Sequence, residues 1–166
     1  MPDARRDLLR HFLAALAYRT QKALRGAPAA FAAFRAGPQV RTPAELVRHM
    51  TSVLGYARTY FLGGAYRPDE LPSFEAEVAR FHEVLGDLAR LIENGIDCRV
   101  SPEQLLQGPL ADAMTHAGQL ALLRRLSGSP VPPENFIYAD ISAANLGPNQ
   151  PAPARPDESW PDAPKA

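Results

Sequence analysis

Asp112 and His116 lie four positions apart in one helical segment and combine metal-binding side chains with a suitable spacing. In an α-helix, residues four apart lie on the same face, one turn from each other. His49 is a third donor, placed among apolar residues of an earlier helical segment, so that it faces the interior or its rim. Two imidazoles and one carboxylate form a workable ligand set for one divalent ion and leave positions for water or substrate.

Spacing alone leaves a plainer interpretation open. Asp112 and His116 would then form a surface pair, and His49 would be a hydrogen-bonded core histidine. The two other histidines, His11 and His82, each stand beside a core aromatic, and we expect both to be solvated at the edge of a buried stripe.

Several polar side chains are candidates for supporting the three ligands. Gln119 follows His116 by three residues and is positioned to orient it, although an exposed glutamine is the alternative. Ser52 and Tyr56 follow His49 on a similar face and are expected to contact a ligand, with capping or core packing as the alternative. We expect Cys98 to be an inert small side chain rather than a reactive thiol. No residue stands out as a general base, so the catalytic residues are unknown.

Apolar periodicity and capping signals predict four helices that would position these residues. Capping boxes mark two starts, Thr42 with Glu45 and Ser101 with Gln104. A short extra turn is expected around Phe31. The four helices are expected at about Asp3–Leu24, Pro43–Leu62, Ser73–Asn94 and Ser101–Leu126, the last broken at Gly108-Pro109.

Four amphipathic helices of this length enclose a single core when they pack side by side. The predicted fold class is therefore all-α, a four-helix bundle over residues 1–128 with an extended proline-rich arm over residues 129–166. The arm carries nine of the 17 prolines. We expect it to dock partly on the bundle through four apolar residues: Phe136, Ile137, Tyr138 and Ile141.

Composition limits the classes of function. The 166 residues hold 18 Lys and Arg against 18 Asp and Glu, so the formal net charge is zero. This balance argues against nucleic-acid binding and against an electrostatic membrane anchor. The single cysteine excludes an intrachain disulfide. No signal peptide or membrane span is predicted, and a cytoplasmic location follows by default.

Two segments resemble the DinB/YfiT-like family: TPAELVRHMTSVLGYARTYF, which contains His49, and LADAMTHAGQLALLRRLSGSPV, which contains Asp112 and His116. The resemblance implies a four-helix bundle that binds one divalent metal through a histidine of the second helix and two groups four residues apart on the last helix. The familiar pattern has three histidines, whereas this sequence has Asp112 at one position. A carboxylate hardens the ligand set and makes the ion a weaker Lewis acid.

The resemblance also implies a class of function. Zn²⁺ or Ni²⁺ is the favoured ion, with Fe²⁺ or Mn²⁺ as alternatives. The protein would be a metal-dependent hydrolase or a transferase that uses a low-molecular-weight thiol, acting on a small-molecule substrate. The alternative is a non-catalytic, stress-related protein that binds a metal, a ligand or a partner. A homodimer is expected, through exposed apolar residues: Phe31, Phe34, Tyr60 and Tyr66.

Overall fold

The computed structural model of the chain describes residues 3–156, and this part is all-α without a named strand. The helices are α1 (Ala4–Leu24), α2 (Pro43–Leu62), α3 (Phe74–Glu93), the one-turn α4 (Pro102–Leu105) and α5 (Ala111–Leu126). Short helical turns also lie at Ala29–Ala33 and Phe136–Tyr138. The all-helical class and the four long helices predicted from the sequence are confirmed.

The starts of the helices follow their capping residues. The Thr42 hydroxyl accepts a hydrogen bond from the Glu45 amide, and the Glu45 carboxylate accepts one from the Thr42 amide. Ser101 and Gln104 form the same reciprocal box before α4. Both boxes satisfy amides that would otherwise lack a partner at a helix start. Helix α2 ends at Gly63, whose φ of 79° is a conformation that glycine adopts at little cost.

The four long helices share one apolar core. Helix α1 packs against α3 and α5, and α2 packs against α3 and α5, so each long helix has two long neighbours. The largest fully buried side chains come from all four: Leu13, Leu16 and Tyr18 of α1, Leu46, Met50 and Leu54 of α2, Phe81, Leu85 and Leu88 of α3, and Leu120 of α5. This packing sets α2 beside α5, the two helices that carry the candidate ligands.

A wide turn joins α4 to α5. It spans Leu106–Leu110, and Gly108 leaves the helical conformation with φ −95° and ψ −107°. Pro109 has no amide hydrogen to donate to the preceding turn, which reinforces the break. The predicted interruption at Gly108-Pro109 is confirmed, and it places Asp112 in the first turn of α5.

Residues 129–156 run along the outside of the helices and contact α1 through a buried carboxylate. The Tyr18 hydroxyl donates to Glu134 Oε1 at 2.6 Å, and Lys22 Nζ lies 2.9 Å from Glu134 Oε2. The Arg19 guanidinium stacks over the ring of Phe136, 3.8 Å from its centroid. The end of the arm, residues 157–166 with Trp160, lies outside the described residues.

Two of the four expected docking residues of the arm, Ile137 and Tyr138, require correction, whereas Phe136 and Ile141 are half-buried. Ile137 is 81% exposed and Tyr138 is 53% exposed, because the turn at Phe136–Tyr138 points both away from the helices. Leu146 packs against the core instead. Its carbonyl accepts a hydrogen bond from Nδ1 of His82 at 2.7 Å. The Arg25 guanidinium donates to the carbonyls of Gln150 and Pro151.

Two further expectations from the sequence are wrong. His82 is buried rather than solvated, since Leu146 covers it and Gln21 contacts its other ring nitrogen. Phe31 is also buried, beneath the Arg124 guanidinium, so it belongs to no exposed patch. The other three residues expected at a dimer interface, Phe34, Tyr60 and Tyr66, are half-buried. The homodimer itself stays a prediction.

No helix among residues 3–156 has both the length and the apolar character needed to cross a membrane.

Candidate metal centre

His49, Asp112 and His116 meet where α2 lies against α5. One donor atom from each side chain lies within 4.8 Å of the other two. The imidazole rings of His49 and His116 have centroids 4.7 Å apart and cross at 73°. The three residues that the sequence singles out are therefore adjacent in space, although His49 comes from a different helix.

The contact between Asp112 and His116 has the geometry of the i,i+4 pair. His116 Nε2 lies 3.3 Å from Asp112 Oδ1. The His116 side chain is 10% exposed and that of Asp112 is 50% exposed. The carboxylate therefore lies at the solvent side of the cluster, and the imidazole lies at its inner side.

Gln119 holds the other nitrogen of the His116 ring. The Nδ1 atom of His116 donates to Oε1 of Gln119 at 2.9 Å, one turn farther along α5. With the proton on Nδ1, the lone pair of the neutral ring lies on Nε2, the atom that faces Asp112. The supporting role of Gln119 toward a metal ligand stays a prediction.

The electrostatics favour the neutral form of His49. Burial is the largest cause that lowers the pKa of His49, and the positive charge of Arg41 and the neighbouring His116 act in the same direction. The Asp112 carboxylate opposes this shift. The lowered pKa favours the neutral imidazole, which is the form that can bind a metal.

The donor set fits a small divalent ion. Two ligands at about 2.1 Å from one tetrahedral ion are about 3.4 Å apart, close to the separation between His116 and Asp112. The other separations within the cluster are at most 4.8 Å, which exceeds this spacing by no more than about 1.4 Å. Two nitrogens and one carboxylate oxygen suit zinc and its first-row neighbours.

A cleft of about 780 Å³ opens beside this cluster and has Asp112 in its wall. Ser52 and Tyr56 lie in the opposite wall, on α2. Neither residue hydrogen-bonds to any of the three candidate ligands within the described chain, and their supporting role stays a prediction. They face the space beside the ligands.

The Tyr56 hydroxyl is hydrogen-bonded to the Tyr60 hydroxyl one turn farther along α2. That bond is the largest cause that raises the pKa of Tyr60. Cys98 lies elsewhere, half-buried in a small cavity near Phe61 and Ile92, and contacts none of the ligands. The inert assignment of Cys98 stays a prediction.

Sequence reasoning missed two arginines near the cluster. Arg41 acts on His49 from the loop before α2, and Arg67 lines the cleft from the loop between α2 and α3. Both stand in irregular segments, where periodicity carries no information about the direction of a side chain. Nothing in the local sequence singles them out, since each has an acidic residue one turn away, Glu45 for Arg41 and Glu70 for Arg67.

Comparison with known proteins gave no match to a family model, to a curated protein or to a solved structure.

Proposed function

We propose that this chain is a DinB-like four-helix bundle that binds one divalent metal ion through His49, Asp112 and His116. The observation that carries the proposal is the convergence of the three side chains within 4.8 Å across two helices. One pair shares a face of α5, and the third group comes from the neighbouring helix α2. Zn²⁺ or Ni²⁺ suits the nitrogen-rich set best.

The arrangement of the His116 ring supports the proposal independently. A metal-binding histidine commonly donates its second nitrogen to an oxygen acceptor that fixes the ring and its tautomer. Gln119 supplies this acceptor at 2.9 Å. A merely structural surface pair of Asp112 and His116 would not need it.

We propose catalysis on a small-molecule substrate as the use of the site, by hydrolysis or by transfer of a low-molecular-weight thiol. A bound divalent ion would lower the pKa of water or of a thiol and so supply a nucleophile near neutral pH. The chain's own residues would hold the ion on the inner side and leave its outer side toward the cleft, where Asp112 is half exposed.

The residues around the site have separate tasks. His49 and His116 would provide the two nitrogen ligands, and Gln119 would orient His116. Val53 and Tyr66 give the cleft apolar walls that exclude water from one side of a bound molecule. The non-catalytic alternative, storage or sensing of a metal or ligand, uses the same ligands without turnover.

Metal analysis of the purified protein tests the metal proposal. The full-length chain is stripped with chelator, titrated with Zn²⁺ and Ni²⁺, and compared with His49→Ala and His116→Ala. We expect one ion per chain in the wild type and loss of most of the affinity in either variant. His11→Ala is the matched control, because His11 is exposed and lies outside the cluster.

Retention of wild-type affinity in both ligand variants would reject the site. A screen of the metal-loaded protein against ester substrates and against thiol-transfer substrates then distinguishes catalysis from non-catalytic binding. Turnover that disappears in His116→Ala supports the enzyme, whereas stoichiometric binding without turnover supports the non-catalytic alternative.

A further inference from the structure

The cleft beside the candidate metal centre has the dimensions of a ligand site. It is bounded by α2, by the loop that follows α2, by the wide turn Leu106–Leu110 and by α5. Its volume of about 780 Å³ falls within the range of roughly 300–1,000 Å³ that holds small organic ligands. Because Asp112 belongs both to this wall and to the cluster, a bound molecule would lie against the ligands.

The lining of the cleft carries one negative and one positive side chain, Asp112 and Arg67. The remaining walls combine apolar surface from Val53, Tyr66 and Pro109 with neutral polar groups. If Asp112 is engaged as a ligand, Arg67 is the charged group left to meet a bound molecule.

The guanidinium of Arg67 has no acidic partner in the described chain. No carboxylate oxygen of residues 3–156 lies within 4.0 Å of its nitrogens. Two other arginines of this region do have acidic partners: Arg48 pairs with Glu70 at 2.8 Å, and Arg58 pairs with Asp87 at 3.3 Å. Among the residues that line the cleft, Arg67 is thus the cation that is available to an external anion.

Packing fixes the loop that carries Arg67. The ring of Tyr66 lies directly on Gly55 of α2, so closely that a Cβ at position 55 would overlap it. The Arg58 guanidinium lies 5.7 Å from the centroid of the same ring. Pro68 restricts the backbone of the preceding residue to extended conformations. Arg67 is therefore held between two anchored residues, although its side chain is exposed.

The helix sets the separation between the two ends of the cleft. Gly55, where Tyr66 packs, follows His49 by six residues, which corresponds to about 9 Å along the axis of α2. Arg67 adjoins Tyr66, so its backbone lies near that level. A molecule that reaches from the metal ligands to this loop spans about the length of a six-carbon chain or an aromatic ring with a short tail.

We infer that the cleft takes a small organic acid, whose carboxylate pairs with Arg67 and whose apolar body lies against Val53 and Tyr66. The end of the molecule opposite the carboxylate lies at His49, Asp112 and His116. The identity of that end as the reacting group rests on the proposed function, whereas the contact with Arg67 does not. A guanidinium pairs with a carboxylate through two parallel hydrogen bonds, which gives this contact its selectivity.

Binding of 4-phenylbutyrate, compared with its uncharged isostere 4-phenylbutanamide, tests the inference. Both are titrated into the full-length protein, stripped of metal and then loaded with Zn²⁺. We expect the acid to bind at least about tenfold more tightly than the amide in both states, since a charge-assisted pair is lost with the amide. In Arg67→Gln this preference should disappear. Arg125→Gln is the matched control, because Arg125 is exposed and lines neither this cleft nor the cluster.

The outcomes separate this inference from the metal proposal. Equal binding of acid and amide to the wild type overturns it, as does a preference that survives in Arg67→Gln. A preference that appears only with Zn²⁺ and ignores Arg67 also overturns it, since the carboxylate would then bind the ion. If Zn²⁺ fails to bind but the Arg67-dependent preference remains, the metal proposal falls and the organic-acid site stands.

Discussion

The Nδ1 atom of His116 donates a hydrogen bond to Oε1 of Gln119 across 2.9 Å, and the opposite nitrogen of the same ring lies 3.3 Å from Asp112. The side chains of Gln119 and Asp112 thus lie at opposite nitrogens of one imidazole. A histidine that binds a metal commonly has its second nitrogen hydrogen-bonded to such an acceptor.

Removal of the supporting amide should weaken metal binding. We expect Gln119→Ala to lower the affinity for Zn²⁺ by about 10- to 100-fold, because the His116 ring loses its fixed orientation and tautomer. Competition with a chromogenic chelator measures this affinity. Gln119→Glu keeps an acceptor for Nδ1 and should recover most of the loss. Gln119 is exposed, so both variants should unfold within about 0.5 kcal/mol of the wild type. Wild-type affinity in Gln119→Ala would contradict the supporting role.

The carboxylate at position 112 should determine which metal is preferred. Asp112→His creates a set of three nitrogens, so we expect retained binding with a shift toward Ni²⁺ or Cu²⁺ relative to the wild type. Asp112→Ala removes a donor and should lose most of the affinity. Competition between metals, read by mass analysis of the bound ion, compares the variants. Loss of all binding in Asp112→His would mean that Asp112 does something other than complete the ligand set.

The helices and the candidate ligands follow from local sequence signals. The Thr42 and Ser101 capping boxes fix two starts, and the spacing of Asp112 and His116 fixes their common face. These features depend on residues within one or two turns, which periodicity and capping preferences describe directly. The proximity of His49 to Asp112 and His116 depends on the packing of α2 against α5, which local signals do not describe. The resemblance to the DinB/YfiT-like family supplied that expectation.

The misjudged residues depend on chain segments distant in sequence. His82 is buried because Leu146 of the arm covers it, and Ile137 is exposed because the arm docks through Glu134 instead. Arg67 reaches the cleft because Tyr66 packs on Gly55. Each of these placements is set by tertiary contacts, and no local pattern in the sequence encodes them.

The buried His82 should make folding sensitive to acid. Burial is the main cause that lowers the pKa of His82 below its ordinary value of about 6.5, and the hydrogen bond to Leu146 only partly opposes it. As the pH falls below about 6.5, the unfolded chain takes up a proton at this ring before the folded chain does. The free energy of unfolding therefore decreases on acidification through the window between the lowered pKa and about 6.5.

Urea unfolding at pH 7.5 and at pH 5.5 measures this effect. His82→Gln removes the titrating group and keeps a side chain that can donate to the Leu146 carbonyl. We expect its loss of stability between the two pH values to be smaller than that of the wild type. His11→Gln alters an exposed histidine and should retain the wild-type loss. If His82→Gln loses as much free energy of unfolding between the two pH values as the wild type, the His82 ring does not account for the acid sensitivity.

A methyl group at position 55 should disturb the cleft without disturbing the metal ligands. Gly55→Ala places a Cβ into the Tyr66 ring, so the ring and the adjoining Arg67 must move. We expect the preference for 4-phenylbutyrate over its amide to fall while the affinity for Zn²⁺ stays within about twofold. Gly86→Ala is the matched control, since its Cβ would make only an ordinary 3.6 Å contact with the Arg90 side chain. Unchanged selectivity in Gly55→Ala would contradict the positioning of Arg67 by Tyr66.

The buried carboxylate of Glu134 should hold the arm to α1. It accepts a hydrogen bond from Tyr18 at 2.6 Å and pairs with Lys22 at 2.9 Å, and its side chain is fully buried. Glu134→Ala leaves Lys22 without its partner and the Tyr18 hydroxyl without its acceptor. We expect a loss of about 2–4 kcal/mol in the free energy of unfolding, measured by urea denaturation. Glu134→Gln retains an acceptor for Tyr18 and should lose less.

Exposure along the same arm provides the control for this prediction. Ile137→Ser changes a side chain that is 81% exposed and should leave the stability within about 0.5 kcal/mol of the wild type. Leu146→Ser removes an apolar side chain that packs against the core and should cost about 1–2 kcal/mol. If Glu134→Ala unfolds like the wild type while Leu146→Ser is destabilised, the arm is held by the contacts around Leu146 rather than by Glu134. If neither variant loses stability, the arm does not contribute to the fold, and a chain ending at Gly128 should then keep the melting temperature of the full-length protein.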